Sequence, residues 1–413
     1  MKATLGDYMR IAILGAGFFG SCTALELSRR GFHVDLYDRH SDCMTQAGVR
    51  NEGKIHLGFV YGADSTSQTS DIMLQGSLEF YPLLRRWLGQ SVDTISVSSP
   101  VIYAVDHQSL LSIEHIENYF LHIDRYLNKY ASTRTVDYPG GSYLESVQRL
   151  SKDELSTTFN PDRVVAAFRT PERAIDVQQV GVLLRERIKQ SKEISFYSGS
   201  EIQRIEKFTD HYQLNYQRNR ECSIRNYDVV VNALWCGRLA IDSQLGIKEA
   251  SPWIFRLKHA IFLNCLEEAS IPSVTIIQGA FGDLVNFGKG SFYLSWYPSS
   301  MRGSSTDLMP PSHWKQELDH EEAWKLVLDN IYHLSCYAPS LQAIDPRNIR
   351  QWNVRGGIIY AKGKSDISDP QSELHHRHKV KIRKYENYFS VDPGKYCLCP
   401  TFANQLADMI VRL

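Results

Sequence analysis

The chain has 413 residues, with 46 Lys+Arg balanced by 46 Asp+Glu. That balance argues against a nucleic-acid or polyanion partner. A composition of 43% hydrophobic and 22% charged residues is that of a globular protein in water, and the length predicts two cores or one elaborated domain. No stretch approaches the roughly 18 apolar residues of a membrane span. Residues 1–8 hold no apolar signal-peptide core, and Met9 offers an alternative start. The eight cysteines form no C-x-x-C pair and no regular framework, so reduced thiols and a cytoplasmic location are expected.

The first predicted elements carry the clearest chemistry. Ile11 to Leu14 is a short apolar run, read as a buried parallel strand. Gly15, Gly17 and Gly20 follow at G-x-G-x-x-G spacing, then an amphipathic helix over 21–30 and a second strand over 34–38 that ends at Asp38. This is a dinucleotide-binding βαβ unit. Gly15 permits the tight turn, Gly17 lets backbone approach a pyrophosphate, and Gly20 lets helix and strand pack closely. The helix start offers free N–H groups and a positive dipole end to phosphates. Asp38 can accept hydrogen bonds from a ribose diol. Phe18, Phe19 and Arg39 are placed at the cofactor with them. The alternative is a structural turn that holds no nucleotide.

Further along, a polar glycine-bearing segment (41–64) precedes a helix over 67–88, strands within 92–105 and a helix over 110–130. Gly140-Gly141 marks a turn, and Asp176 caps a helix over 177–189. Strands are expected at 194–197, 202–208 (with Ile202 at the cofactor), 212–216 and 227–232. Residues 253–297 are rich in β-branched and aromatic residues, with sheet at 260–263 and 292–297. A helix over 317–332, a strand over 352–361 and a closing helix over 403–413 complete the chain. The strand-rich centre breaks the βα alternation, which implies a second, antiparallel sheet inserted into the nucleotide-binding domain. The expected fold is thus α/β (α+β). Residues 9–90, 171–250 and 351–413 are assigned to the cofactor domain, and 91–170 and 251–350 to the substrate domain.

Three further blocks turn the reading from dinucleotide to flavin. The run from Tyr227 to Gly237 (YDVVVNALWCG) resembles a strand and N-A-x-G-type turn of the D-amino-acid-oxidase-like flavoproteins. The run from Arg50 to Tyr61 (RNEGKIHLGFVY) resembles a segment of the L-2-hydroxyglutarate oxidases and dehydrogenases. Asp392-Pro393-Gly394-Lys395-Tyr396 resembles the C-terminal flavin loop of the same superfamily, which also holds the glycine and sarcosine oxidases. The resemblance implies FAD, held by Arg50, Asn51, Gly53, Ala233, Trp235, Gly237, Gly394, Lys395 and Tyr396 besides the opening loop. Glu52 departs from the pattern, standing where a small residue is usual.

The resemblance further implies hydride transfer to flavin N5 from a carbon bearing an amine or hydroxyl, with oxygen or another acceptor closing the cycle. His56 is the candidate proton acceptor, or else a histidine that only hydrogen-bonds cofactor or backbone. Arg355 is the first candidate to grip a substrate carboxylate, or else an interdomain ion pair. Arg256 is the second, or else structural. Alternation over 292–297 puts Tyr293, Ser295 and Tyr297 on one face, where they line either the substrate pocket or the core. His375, His376 and His378 flank Arg377, but the sequence offers no further ligand, so no metal is expected. Two other readings stay open: a nicotinamide-dependent dehydrogenase and a flavin-binding subunit without turnover.

Overall fold

The structure, a computed structural model, describes residues 9–266 and 270–413. The choice of start and the missing signal core in 1–8 lie outside the described residues. Ile11–Leu14 forms the centre of a six-stranded sheet, between Val34–Tyr37 and Val229–Asn232, parallel to both. Ile194–Tyr197 extends the sheet on one side, and Tyr388–Asp392 then Lys381–Tyr385 on the other. All four side chains of the central strand are buried, as an apolar run covered on both faces should be. Helix Phe18–Arg29 follows the glycine loop directly, three residues earlier than expected.

Helix Cys399–Val411 packs on helix Phe18–Arg29, so the end of the chain completes the first core. A buried carboxylate fastens the two. Glu26 accepts from Arg29, Arg30 and Trp87, and Arg30 donates onward to Asp408 at 2.6 Å. Burial alone would raise the Glu26 pKa; the hydrogen bonds from Arg29, Trp87 and Arg30 overcome it and bring it down to about 2.

The second sheet has nine strands. Its long pair is Trp253–Cys265 against Ile349–Lys362, antiparallel over almost their whole length. Alternation then sorts the side chains. Arg256, Lys258 and Ala260 point to one side, while Ile261 and Leu263 enter a second core covered by Leu326, Val327, Ile331 and Leu334 of helix His320–Ser335. The sheet is antiparallel except where Ser273–Ile277 runs parallel to Val101–Asp106.

Several expectations need correction. Residues 92–100 are not a strand: a 3₁₀ turn covers Gly89–Thr94, and the strand begins at Val101. The strand carrying Tyr293 and Ser295 stops at Trp296, and Tyr297 opens a short helical turn, with Pro298 next in line. The boundary placed between 350 and 351 fails, because Ile349–Lys362 belongs wholly to the larger sheet.

Candidate active site

A cavity of about 1220 Å³ runs between the two sheets, larger than most single-ligand pockets. One end is walled by the glycine loop. Gly15 has φ +100°, and a Cβ there would sit 2.8 Å from Ala233 O. A Cβ on Gly20 would come within 1.9 Å of Gly15 O, so this glycine serves packing and does not line the cavity. Gly17 differs: a Cβ there would meet no protein atom within 4 Å, because the space beside it is cavity. The helix starting at Phe18 has no side-chain cap and no acid in its first turn. An uncapped helix start facing a cavity is what a diphosphate occupies. Asp38 is held in place by accepting from Ala16 N at 2.8 Å and His40 N at 2.9 Å.

The other expected blocks converge here. Phe18, Phe19, Asp38, Arg39, Arg50, Asn51, Ile202, Ala233, Trp235, Gly237, Gly394, Lys395 and Tyr396 all line the cavity. Tyr396 stacks on Phe18 with ring centroids 4.0 Å apart, which brings the tail loop against the opening loop. Its hydroxyl is buried without a partner, as is Arg50 Nε. The uncapped helix, the open Gly17 and these orphaned groups fit an adenine dinucleotide with a flat polar-edged ring. Gly53 does not line the cavity; with φ +70° and a would-be Cβ 2.0 Å from Ile175 O, it serves the turn.

Past the tail loop the lining becomes charged. His56 lies between two carboxylates, Nδ1 3.4 Å from Glu172 and Nε2 3.7 Å from Glu52. Glu172 is already engaged by Tyr103 OH and Leu57 N, and His56 Nδ1 makes no hydrogen bond of its own. Burial would raise Glu52, but His56 and the ammonium groups of Lys258 and Lys395 hold it well below the usual carboxylate range. Lys54 donates to Thr275 and Asp283, and Lys258 stands 3.9 Å from Asp283. Burial brings Lys395 down to about 8, against the pull of Glu52.

The roof of this chamber supplies the arginines. Arg256 Nη1 donates to Tyr297 OH at 2.7 Å and to Asp366 at 3.1 Å. Arg377 also lines the cavity, and among the described residues its guanidinium has no hydrogen-bond or ion-pair partner. Burial, then Arg256, lower Arg377 to about 10.

His56, Arg256 and Tyr297 therefore meet in one chamber, whereas Arg355 does not join them. Arg355 lies opposite Ala260 on the cavity's face of the sheet, yet the lining on its strand begins at Gly356, and its neighbour is Arg50, whose pKa burial and Arg355 lower. The registered strand pair brings glycines, not Arg355, to the wall. Arg377 from the histidine-rich loop stands there instead. Glu52, Lys54 and Asp283 also line the cavity, although the sequence reading does not place them there. The available signal was alternation through Ile55, which puts Lys54 and His56, and two residues earlier Glu52, on one face.

A parallel sheet with a glycine loop, an uncapped helix and a charged chamber beside them defines a dinucleotide-dependent oxidoreductase. Residues 10–370 match the model of the DAO family, FAD dependent oxidoreductases, and the chain belongs to that family, with FAD as its cofactor. The nicotinamide reading is thereby set aside. Similar solved structures include glycine oxidase from Geobacillus kaustophilus (TM-score 0.67, 14% identity, 98% of this chain and 95% of that one). L-proline dehydrogenase from P. horikoshii is similar as well (0.66, 15%, 98% and 93%), as is iminodiacetate oxidase from Chelativorans sp. BNC1 (0.67, 13%, 98% and 95%). A curated relative, the FAD-dependent monooxygenase FPY4 of Fusarium mangiferae, is 33% identical over 78 residues, which are 18% of this chain and about a fifth (21%) of that protein's length. No described helix is long and apolar enough to cross a membrane.

Proposed function

We propose that this oxidoreductase acts on a small amino or hydroxy acid, oxidising its C–N or C–OH bond. The carrying observation is the pair of guanidinium groups, Arg256 and Arg377, in the chamber beside the tail loop, with Arg377 unpaired among the described residues. A substrate carboxylate supplies the partner that Arg377 lacks, and Arg256, tied to Tyr297 and Asp366, gives it a rigid second contact. Bound FAD supplies the hydride acceptor, at N5. His56 takes the proton from the substrate's hydroxyl or ammonium group, and its two flanking carboxylates stabilise the imidazolium that results. Lys258 and Lys395 keep the chamber cationic, which favours an anionic substrate.

The likeness of the Arg50 to Tyr61 block to the L-2-hydroxyglutarate group supports a hydroxy acid. The names of the similar structures, glycine oxidase and iminodiacetate oxidase among them, support an amino acid. An anaerobic screen of both classes, read as loss of the yellow flavin colour, decides between them. If no acid of either class bleaches the flavin while dithionite does, the proposal fails. Readmitting oxygen after bleaching then tells whether oxygen or another acceptor takes the electrons.

A further inference from the structure

Away from the chamber, Asp64, His376 and His378 each bring one ligand atom to within 4.8 Å of the others. The two histidines lie 312 and 314 residues beyond Asp64, so the fold alone makes the group. Asp64 sits in the turn before helix Gln68–Leu88, and its side chain is fully buried. That turn satisfies the carboxylate by itself. Oδ1 accepts from Thr66 N at 3.0 Å and Thr66 Oγ1 at 2.6 Å, and Oδ2 from Thr69 N at 3.1 Å and Thr69 Oγ1 at 2.5 Å. Four donors fill the roughly four lone-pair sites of a carboxylate.

Two imidazoles nevertheless converge on it. His376 Nδ1 is 3.0 Å from Oδ1, and His378 Nδ1 is 3.2 Å from Oδ2 and 3.3 Å from Thr69 Oγ1. The amide donors are fixed, but the threonine hydroxyls rotate, and each can free one carboxylate lone pair. The freed lone pair and the two Nδ1 lone pairs then make an N₂O donor set. In a tetrahedral zinc site with ligand bonds of about 2.0–2.1 Å, neighbouring ligand atoms lie roughly 3.3 Å apart. Here His376 Nδ1 is 3.0 Å from Oδ1, His378 Nδ1 is 3.2 Å from Oδ2, and the three ligand atoms lie within 4.8 Å of one another, so the imidazoles close slightly to share one ion. His376 is 31% exposed, which leaves room for a water as fourth ligand and a way in for the ion.

We propose that Asp64, His376 and His378 bind one divalent cation of the zinc class, borderline in softness and suited to imidazole and carboxylate together. The ion fastens the strap over 363–380 to the helix that starts at Gln68. The strap carries Asp366, which bonds Arg256 and Tyr297, and Arg377 lies between the two histidine ligands and reaches the chamber. Holding the strap thus sets the position of the unpaired guanidinium.

The test uses tag-free holoprotein, stripped with EDTA, re-exposed to zinc chloride and desalted. Elemental analysis is expected to find about one zinc per chain in the wild type and at least tenfold weaker uptake in His378→Gln and in the His376→Gln/His378→Gln double variant. The thermal midpoint is expected to rise with zinc only in the wild type. Equal uptake by wild type and double variant, or none in either, overturns the proposal. A second measurement needs no variant: diethyl pyrocarbonate labelling of His376 and His378, mapped by peptide mass, should drop at least fivefold with zinc present. Labelling that zinc leaves unchanged overturns it equally.

Discussion

Two glycines of the opening loop should fail for different reasons. Gly17 has φ −68° and ψ −174°, extended backbone that alanine adopts freely, and a Cβ there touches no protein atom within 4 Å. The apoprotein of Gly17→Ala should therefore match the wild type in stability within about 0.5 kcal/mol. The methyl group points into the space where the coenzyme's diphosphate must approach backbone. Forcing a methyl into a packed contact costs about 1–3 kcal/mol, and at 1.4 kcal/mol per tenfold this becomes a roughly 5- to 150-fold loss of FAD affinity. Gly20→Ala acts on the protein itself, since its Cβ would stand 1.9 Å from Gly15 O, against 3.4 Å for ordinary contact. Strand and helix must then part, and the apoprotein should lose about 2–4 kcal/mol. The assays are urea unfolding of each apoprotein and FAD titration followed by quenching of flavin fluorescence. Wild-type FAD affinity in Gly17→Ala would refute the placement of the diphosphate, and an undamaged Gly20→Ala apoprotein would refute the packing argument.

Other outcomes follow from the chamber and the core. Arg377→Ala should raise KM for the acid substrate by about 30-fold, equivalent to about 2 kcal/mol, while FAD stays bound; steady-state kinetics and the flavin spectrum check both. With a Lys395 pKa of about 8, the ammonium is charged below that pH and neutral above it. Binding of a carboxylate competitor should therefore weaken as pH rises through 8, and the step should vanish in Lys395→Gln when followed by flavin absorbance. Glu26 falls from 4.5 to about 2 on folding, so its contribution is present above pH 4.5 and is lost as pH drops toward 2. Glu26→Gln should cost about 2 kcal/mol at pH 7, after discounting for the half-exposed Arg29. The gap to the wild type should close in acid urea melts.

The nucleotide-binding half was legible because its signals are local. Glycine spacing, an apolar strand and a terminal acid lie within about thirty residues, and each answers to a steric or hydrogen-bonding need. The charged chamber was only half legible. His56, Arg256 and Tyr297 line it as the sequence suggests, whereas Arg355, the first candidate, does not, and Arg377, read only as part of a polar histidine stretch, does. Which residue faces the wall depends on the register between Trp253–Cys265 and Ile349–Lys362 and on a loop that crosses above them, and neither is written in a period of two or of 3.6. Asp64 illustrates the same limit. His376 and His378 were visible as a pair, but their shared partner comes from the other end of the chain. The misread strand near 92–100 has a simpler cause: apolar and β-branched residues there pack as a 3₁₀ turn and loop beneath neighbouring elements.

The pairing of Tyr388–Asp392 beside Val229–Asn232, with Tyr396 stacked on Phe18, bears on how the protein is made. During synthesis the glycine loop leaves the ribosome early, yet its sheet lacks the strand beside Val229–Asn232 and its helix lacks the closing helix it packs on until the end of the chain has been translated. Loading of the coenzyme is thereby deferred until translation is nearly finished, and a nascent fragment stalled before residue 388 exposes an apolar sheet edge that chaperones must shield.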